Sequence, residues 1–123
     1  QRQMCIRDRL KQVFLNIILN AVEAMSQNPP ERSRTLIISI EKGASIDDHS
    51  HYLLLSFEDS GKGISEKDLD HIFNPFFTTK DEGTGLGLAI CYGIINRHEG
   101  EIEVHSTPGK GTCFTIKLPQ YIV

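Results

Sequence analysis

The sequence has little that would place the chain in a membrane or on nucleic acid. Its 123 residues contain no run of about 18 apolar residues, the length that a membrane-spanning helix needs. The formal net charge is −3, so no excess of positive charge attracts nucleic acid or an anionic lipid surface. Internal repeats and low-complexity tracts are also missing. The length suits one domain with a real core and leaves no room for a second.

Several common site patterns are missing as well. The three cysteines form no CxxC pair. Cys91 and Cys113 lie in apolar patterns, so we expect reduced, buried thiols and no disulfide. Lys62 and Lys110 stand in Gly-Lys-Gly turns that lack the lead of a Walker loop, and residues 83–87 lack the Rossmann spacing. The five histidines show no metal-ligand spacing; they are His49, His51, His71, His98 and His105.

We interpret residues 1–9 as a segment that does not belong to the native protein. They match a translated sequencing adapter of the transposon-end type, and such segments are excluded from fold reasoning. The alternative is an ordinary helix start that happens to match. If the adapter interpretation is right, the native sequence is 10–123 and begins within a domain.

Helical and extended patterns alternate along the chain. Periodicity and capping residues predict helices over 10–25, 65–73 and 85–98. Alternating patterns between turn residues predict strands over 35–42, 52–58, 101–106 and 111–118. The sequence therefore predicts an α/β sandwich, a mixed, mostly antiparallel sheet covered on one face by about three helices.

Two glycine clusters carry the first functional signal. One is Asp59-Ser-Gly61-Lys-Gly63, and the other, over 83–87, runs directly into a helical pattern. Glycine lets a backbone approach a ligand closely, and free N–H groups at a helix N-terminus favour anions. The acidic Asp59 suits a neutral donor such as the adenine amine better than a phosphate. Together the clusters predict a nucleotide site.

The first predicted helix carries a polar stripe about 80° wide, made of Gln12, Asn16, Asn20 and Glu23. Nearly all its other residues are apolar, so we expect the helix to be buried all round, with the stripe shielded from bulk water. Asparagine oxygens suit a divalent cation that bridges phosphates. The alternative is that Asn16 and Asn20 bond to loop backbone.

The loop between the second and third helices has two open interpretations. Phe73, Phe76 and Phe77 around Pro75 form either a small satellite core or part of the site. Lys80 is either a solvated lysine or a charge clamp on a terminal phosphate.

In this order, the motifs resemble the catalytic, ATP-binding domain of bacterial sensor histidine kinases, over residues 10–119. The similar segments are the asparagine box at 12–21, the first glycine box at 59–63, the phenylalanine box at 72–77, the second glycine box at 83–88 and the closing hairpin at 109–114. Residues 75–80 are most similar to the nitrogen-regulator and C4-dicarboxylate sensor branch. The resemblance implies the Bergerat ATP-binding fold, here without the family's opening strand.

The resemblance implies ATP and Mg²⁺ as cofactors and phosphoryl transfer to a histidine on a dimerisation domain that this sequence lacks, with a response regulator as the further partner. Asp59 would bind the adenine amine, supported through water by Thr112, and Asn20, helped by Asn16, would hold Mg²⁺. Lys80 would reach the γ-phosphate from a lid over 74–83. The implied nucleotide contacts are Asn16, Asn20, Asp59, Gly61, Gly63, Ile64, Phe77, Thr79, Lys80, Gly83, Thr84, Gly85, Leu86, Gly87, Leu88 and Thr112.

Asn16 stands where the wider superfamily, which includes gyrase and the Hsp90 chaperones, has a glutamate that activates water. An amide cannot take a proton, which favours phosphoryl transfer over hydrolysis. The competing hypotheses are a hydrolysing ATPase, an anti-sigma serine kinase and a nucleotide-sensing module without catalysis. His98-Glu99 lacks the proline of the acceptor-histidine box, so we reject it as the acceptor. We expect a cytoplasmic domain and leave open whether its parent is anchored in a membrane.

Overall fold

The computed structural model describes residues 5–44, 51–77 and 87–120. The elements in these ranges, in chain order, are α1 (Ile6–Met25), β1 (Leu36–Ala44), β2 (His51–Asp59), α2 (Glu66–Leu69), α3 (Gly87–Arg97), β3 (Glu101–Thr107) and β4 (Gly111–Pro119). The four described strands form one sheet in the order β1-β2-β4-β3, with every neighbouring pair antiparallel. The predicted α/β sandwich is confirmed, with antiparallel pairing throughout the described sheet.

The helices cover one face of this sheet. Along β4 the burial alternates, since Thr112, Phe114, Ile116 and Leu118 are buried and the residues between them are only half-buried. Period-two burial of this kind marks a sheet with one packed face. The core between the layers consists of Leu10, Val13, Ile17, Leu55, Phe57, Ile72, Cys91, Ile94, Ile95, Ile102, Phe114, Ile116 and Leu118.

Helix α1 starts earlier than the sequence predicts. The helix begins at Ile6, whose partly buried side chain packs against the core, whereas the periodicity predicted a start at residue 10. Its end at Met25 agrees with the prediction, because Pro29 and Pro30 follow shortly and proline cannot continue a helix.

The expectation that α1 is buried all round is wrong. One stripe is buried, formed by Leu10, Val13, Ile17, Ala21 and Met25. On the opposite side the side chains of Leu15, Leu19 and Val22 are 56%, 48% and 53% exposed. The physical reason is the layer arrangement: α1 rests on the sheet with a single stripe, and its far side points away from the core.

The polar stripe of α1 lies at the border of this buried stripe. Asn16 and Asn20 are half-buried, whereas Gln12 and Glu23 are exposed. The two asparagines are therefore partly shielded from water, and the two ends of the predicted stripe are not.

The shorter elements differ from the predictions mainly in length. Ser65 caps α2 as predicted, since its Oγ accepts the Asp68 N–H at 3.2 Å, but the helix ends at Leu69 and continues as turns. The described part of α3 begins at Gly87, so the predicted start at 85 lies outside the described residues. The predicted turn after β3 is confirmed by the bond from Lys110 N–H to the Thr107 carbonyl, at 2.9 Å.

All three cysteines are free thiols. Cys91 is fully buried, as expected, but Cys113 is only half-buried, because it lies on the open face of β4. In the described ranges, no helix combines the length and the apolar character required to cross a bilayer.

Candidate functional site

A buried carboxylate at the end of β2 is the centre of the candidate site. Asp59 is 7% exposed, and its Oδ1 accepts the backbone N–H of Gly61 at 2.8 Å. The strand register places Asp59 directly opposite Thr112. Burial raises the pKa of the Asp59 carboxyl, while hydrogen bonds from the Gly61 and Thr112 backbone lower it. The site therefore holds a buried acid that is hydrogen-bonded to backbone N–H groups.

Thr112 and Ile64 are joined to each other through Ser106, which the sequence analysis did not identify. The Ser106 Oγ accepts the Ile64 N–H at 2.7 Å and lies 2.9 Å from the Thr112 Oγ1. It also lies 2.9 Å from the Gly111 carbonyl oxygen, to which it donates. A Cβ at Gly111 would collide with the Asp59 carbonyl oxygen, so a side chain there is excluded. The β3–β4 end of the sheet is thus fitted closely around Asp59.

The first glycine cluster packs between α1 and the β3–β4 turn. A Cβ at Gly61 would lie 2.7 Å from the Ala24 Cβ, and the Lys62 N–H donates to the Ala24 carbonyl at 3.1 Å. Gly63 has φ +76°, and a Cβ there would collide with the Thr107 carbonyl oxygen. Both glycines are required by close backbone approaches, which fix the chain beside Asp59.

Asn28 and Arg32 hold the same loop from its other side. The Asn28 Nδ2 donates to the Ser60 and Ser33 carbonyls at 2.9 and 3.1 Å. An Arg32 Nη2 donates to the Gly61 carbonyl at 2.6 Å, and the guanidinium charge lowers the pKa of Asp59. The sequence analysis did not identify Asn28. Its position just beyond a helix end, where asparagine often bonds to turn backbone, was the available signal.

Asn16 lies where α1 meets α3. Its Nδ2 donates to the Cys91 Sγ at 3.7 Å, so this amide contacts a thiol of the neighbouring helix. Asn20, one turn further along α1, is also half-buried. Among the residues that the structure describes, no group of three or more His, Cys, Asp and Glu side chains could hold a metal ion.

The phenylalanines of the loop after α2 take different positions. Phe73 is half-buried against the core, with its ring centroid 5.2 Å from that of Tyr92. Phe77 is half-buried, 5.9 Å from the His71 ring. Phe76 is 74% exposed and has φ +69°, unusual for a residue with a side chain. The satellite-core interpretation fits Phe73 and Phe77, and it does not fit Phe76.

The predicted site residues fall into three groups. The structure joins Asp59, Gly61, Gly63, Ile64 and Thr112 in one close-packed group of loop and strand ends. It ties Asn16 to α3 and places Gly87 and Leu88, both half-buried, at the described start of that helix. Asn20 and Phe77 are half-buried on α1 and on the segment after α2. The remaining predicted residues lie outside the described residues; they are Thr79, Lys80, Gly83, Thr84, Gly85 and Leu86.

An open cleft of about 410 Å³ lies elsewhere, between α1 and α3. It is lined by Arg9, Gln12, Pro75, Ile90 and Arg97, among others, and none of its lining residues is among the predicted nucleotide contacts. We therefore do not assign this cleft to the nucleotide.

Comparison with known proteins agrees with this arrangement. Residues 5–122 match the model of the family described as "Histidine kinase-, DNA gyrase B-, and HSP90-like ATPase". The chain belongs to this family. Two similar proteins are the sensor histidine kinase ZraS of Escherichia coli (strain K12) and sporulation kinase A of Bacillus subtilis (strain 168). ZraS is 47% identical over 91% of this chain and 22% of its own length, and sporulation kinase A is 46% identical over 93% and 17%.

Solved structures of histidine kinases align with this chain. The nucleotide-free catalytic domain of histidine kinase ThkA aligns with a TM-score of 0.73 and 37% identity, covering 94% of this chain and 69% of that domain. Full-length ShkA in complex with AMPPNP aligns with a TM-score of 0.68 and 30% identity, over 90% of this chain and 21% of ShkA. The chain thus has the fold of a histidine kinase catalytic domain and spans about a fifth of the length of its curated relatives.

Proposed function

We propose that the chain binds ATP with Mg²⁺ and donates the γ-phosphate to a histidine on a separate dimerisation domain, as a step in two-component signalling. The observation that carries this proposal is Asp59. A buried acid that costs folding free energy is expected where it binds a ligand. The family match supports a nucleotide as that ligand.

In this proposal the group around Asp59 recognises the base. The carboxylate accepts a hydrogen bond from the adenine amine, and Thr112 supports it through a water molecule. Gly61 and Gly63, which pack closely against Ala24 and Thr107, would hold this wall of the site in place, and Ile64 would offer the base an apolar side chain. Phe77 lies on the next segment of the chain and would border the nucleotide there.

The phosphates lie, in this proposal, between α1 and the start of α3. Backbone N–H groups at Gly87 and Leu88, preceded by Gly83, Thr84, Gly85 and Leu86, would bind them as a helix N-terminus binds anions. Thr79 and Lys80 would contact the terminal phosphate from the lid, where the lysine charge offsets charge on the transferred group.

Asn20 and Asn16 would hold Mg²⁺. Their donor chemistry fits the ion, since carboxamide oxygens are hard ligands and Mg²⁺ usually keeps several waters and binds phosphates directly. Both side chains are half-buried, so each is shielded but not enclosed. When bound, the ion would neutralise charge on the phosphates.

Asn16 also shapes the reaction by what it cannot do. Its amide takes no proton at neutral pH, so it does not activate water as a carboxylate would. Catalysis of phosphoryl transfer then depends on positioning and electrostatics. Water that is not activated competes poorly for the phosphoryl group with an acceptor held in the correct orientation. This argument supports transfer over hydrolysis.

The acceptor would come from a part of the signalling system outside this sequence. We do not assign this role to His98, which lies beyond the end of α3 and lacks the proline of the acceptor-histidine box; its Nδ1 lies 2.8 Å from the Ile94 carbonyl oxygen. The partners we propose are a dimerisation domain with the acceptor histidine and a response regulator. We place the domain in the cytoplasm, where ATP is available, and in the nitrogen-regulator and C4-dicarboxylate sensor branch on the wording of residues 75–80.

Calorimetric titration of the chain with ATP in the presence of Mg²⁺ tests the proposal. The wild type should bind, and Asp59→Asn should bind about 1–3 kcal/mol more weakly, the scale of one unmet buried hydrogen bond. Asp70→Asn, the same change at an exposed site, should bind like the wild type. Equal affinities for wild type and a folded Asp59→Asn protein would contradict the assignment.

A further inference from the structure

The thiol of Cys91 contacts the one predicted catalytic side chain that the structure describes. Cys91 is 0% exposed, so the thiol has no access to solvent. Its Sγ lies 3.7 Å from the Asn16 Nδ2 and 3.8 Å from the Val13 carbonyl oxygen. Both contacts are on α1, one turn apart. The sulfur therefore spans the α1–α3 contact at the position of Asn16.

The direction of these two hydrogen bonds is fixed by their chemistry. An amide nitrogen only donates and a carbonyl oxygen only accepts, whereas a thiol does both weakly. The sulfur therefore accepts from Asn16 and donates its proton to Val13. The bond to the Val13 carbonyl oxygen requires that the thiol keeps its proton.

This arrangement determines which end of the Asn16 amide is held. A carboxamide has an oxygen and a nitrogen at nearly equal distances from its chain, and a rotation of 180° exchanges them. Because the Asn16 nitrogen is bonded to the Cys91 sulfur, the Asn16 oxygen takes the other of these two positions. A divalent cation is bound by the oxygen and not by the nitrogen.

We propose that Cys91 is a positioning residue, which holds the Asn16 nitrogen so that the amide oxygen faces the metal-bound phosphates of the nucleotide. The inference rests on the proposed function, because it assigns a supporting residue to the same site. Cys91 itself touches neither nucleotide nor metal. Its effect passes through Asn16 alone.

Two substitutions separate positioning from packing. Cys91→Val is close in volume and has no polar atom, so it fills the space and breaks the bond to Asn16. Cys91→Ser keeps a donor and an acceptor at the same place. Ile95→Val, at another fully buried position of α3, is the control for a small loss of core packing. If the valine protein does not fold, Cys91→Ala removes the sulfur without adding bulk.

The measurement is the gain in ATP affinity that Mg²⁺ produces, from titrations with Mg²⁺ and with EDTA. We expect Cys91→Val to reduce this gain about 3- to 10-fold, the range of one neutral hydrogen bond, and to leave affinity in EDTA unchanged. Cys91→Ser and Ile95→Val should keep the wild-type gain. A Cys91→Val or Cys91→Ala protein with the full gain, or an equal loss with Mg²⁺ and with EDTA, overturns the inference.

A double-mutant cycle provides a second test. In an Asn16→Ala background, Cys91→Val should have no further effect on the Mg²⁺-dependent gain, because the side chain through which it acts is gone. Additive losses would overturn the positioning role. A wild-type chain that binds no ATP at all would overturn the proposed function as well, so the two failures are distinguishable.

Discussion

At the scale of the residue, Asp59 links the stability of the chain to its proposed ligand. Burial raises its pKa above the ordinary value, so the folded state binds this proton more tightly than the unfolded state does. The protonated carboxyl therefore contributes to stability at low pH, and this contribution is lost as the pH rises through the pKa of the folded state. At neutral pH the buried carboxylate therefore opposes folding.

The first prediction concerns this cost. Asp59→Asn removes the buried charge and keeps an oxygen that can accept the Gly61 N–H. At pH 7 its free energy of unfolding should equal or exceed that of the wild type, and the difference should shrink as the pH falls towards the pKa of the acid. Urea unfolding at several pH values measures this. A variant clearly less stable than wild type at pH 7 would contradict the account of Asp59.

The second prediction concerns Asn20. Asn20→Asp adds a charge at a proposed metal ligand. The change in ATP affinity that this variant causes should therefore differ between titrations with Mg²⁺ and titrations with EDTA. Asn96→Asp places the same charge on an exposed position of α3 and serves as the control. Equal shifts for the Asn20 variant in Mg²⁺ and in EDTA would show that this residue is not a ligand.

Some residues of this region could be predicted from the sequence and others could not. Asp59 and Thr112 were identified because they stand in recognisable motifs, although their roles remain predictions. Ser106 was missed, because its contacts to Ile64 and Thr112 depend on the β3–β4 pairing and on how the glycine loop folds back. A sequence pattern does not carry that register.

At the scale of the element, α1 shows why periodicity alone was insufficient. Leu15, Leu19 and Val22 are as apolar as the buried residues, so the sequence predicted burial all round. Which face is buried depends on how many layers surround the helix, and that is a property of the fold. The helix existence and its end were predictable because local signals, the period and the prolines, determine them.

The third prediction concerns the glycine cluster. Gly61→Ala places a methyl group against Ala24, so the loop or the end of α1 must shift, at a cost of about 1–3 kcal/mol in the free energy of unfolding. Gly93→Ala is the control, because an added Cβ there meets no atom within 4 Å and alanine favours the helix. Thermal unfolding of both variants measures the difference. An unchanged melting temperature for Gly61→Ala would contradict the close packing of the loop.

The fourth prediction concerns residues 1–9, which we propose are not native. A chain that begins at Leu10 should bind ATP as tightly as the full chain, because the proposed site draws on none of these residues. Ile6 packs against the core, so a modest loss of stability is expected alongside. Weaker ATP binding by a folded shortened chain, or an assembled genome that encodes residues 1–8 continuously with the domain, would contradict the proposal.

At the scale of the whole molecule, the layered fold explains how distant sequence motifs come to lie near one another. The pairing of β2 with β4 brings Asp59 directly opposite Thr112, although the two residues are far apart in the sequence. The sheet order could not be obtained from local patterns, since antiparallel strands can be arranged in several orders. The class of fold could be predicted from the sequence, because the helical and extended patterns were clear and the motif order resembled a known domain.

The most direct test is to supply the acceptor. The chain is incubated with γ-labelled ATP and Mg²⁺, alone and with a dimerising helical hairpin from a sensor histidine kinase, with a hairpin whose histidine is replaced by glutamine as the control. We predict acid-labile, base-stable phosphate on the intact hairpin only, and slow release of phosphate by the chain alone because Asn16 cannot act as a general base. Rapid hydrolysis of ATP without the hairpin, or acid-stable phosphate on a serine of an added partner, would contradict the proposed transfer of phosphate to a histidine.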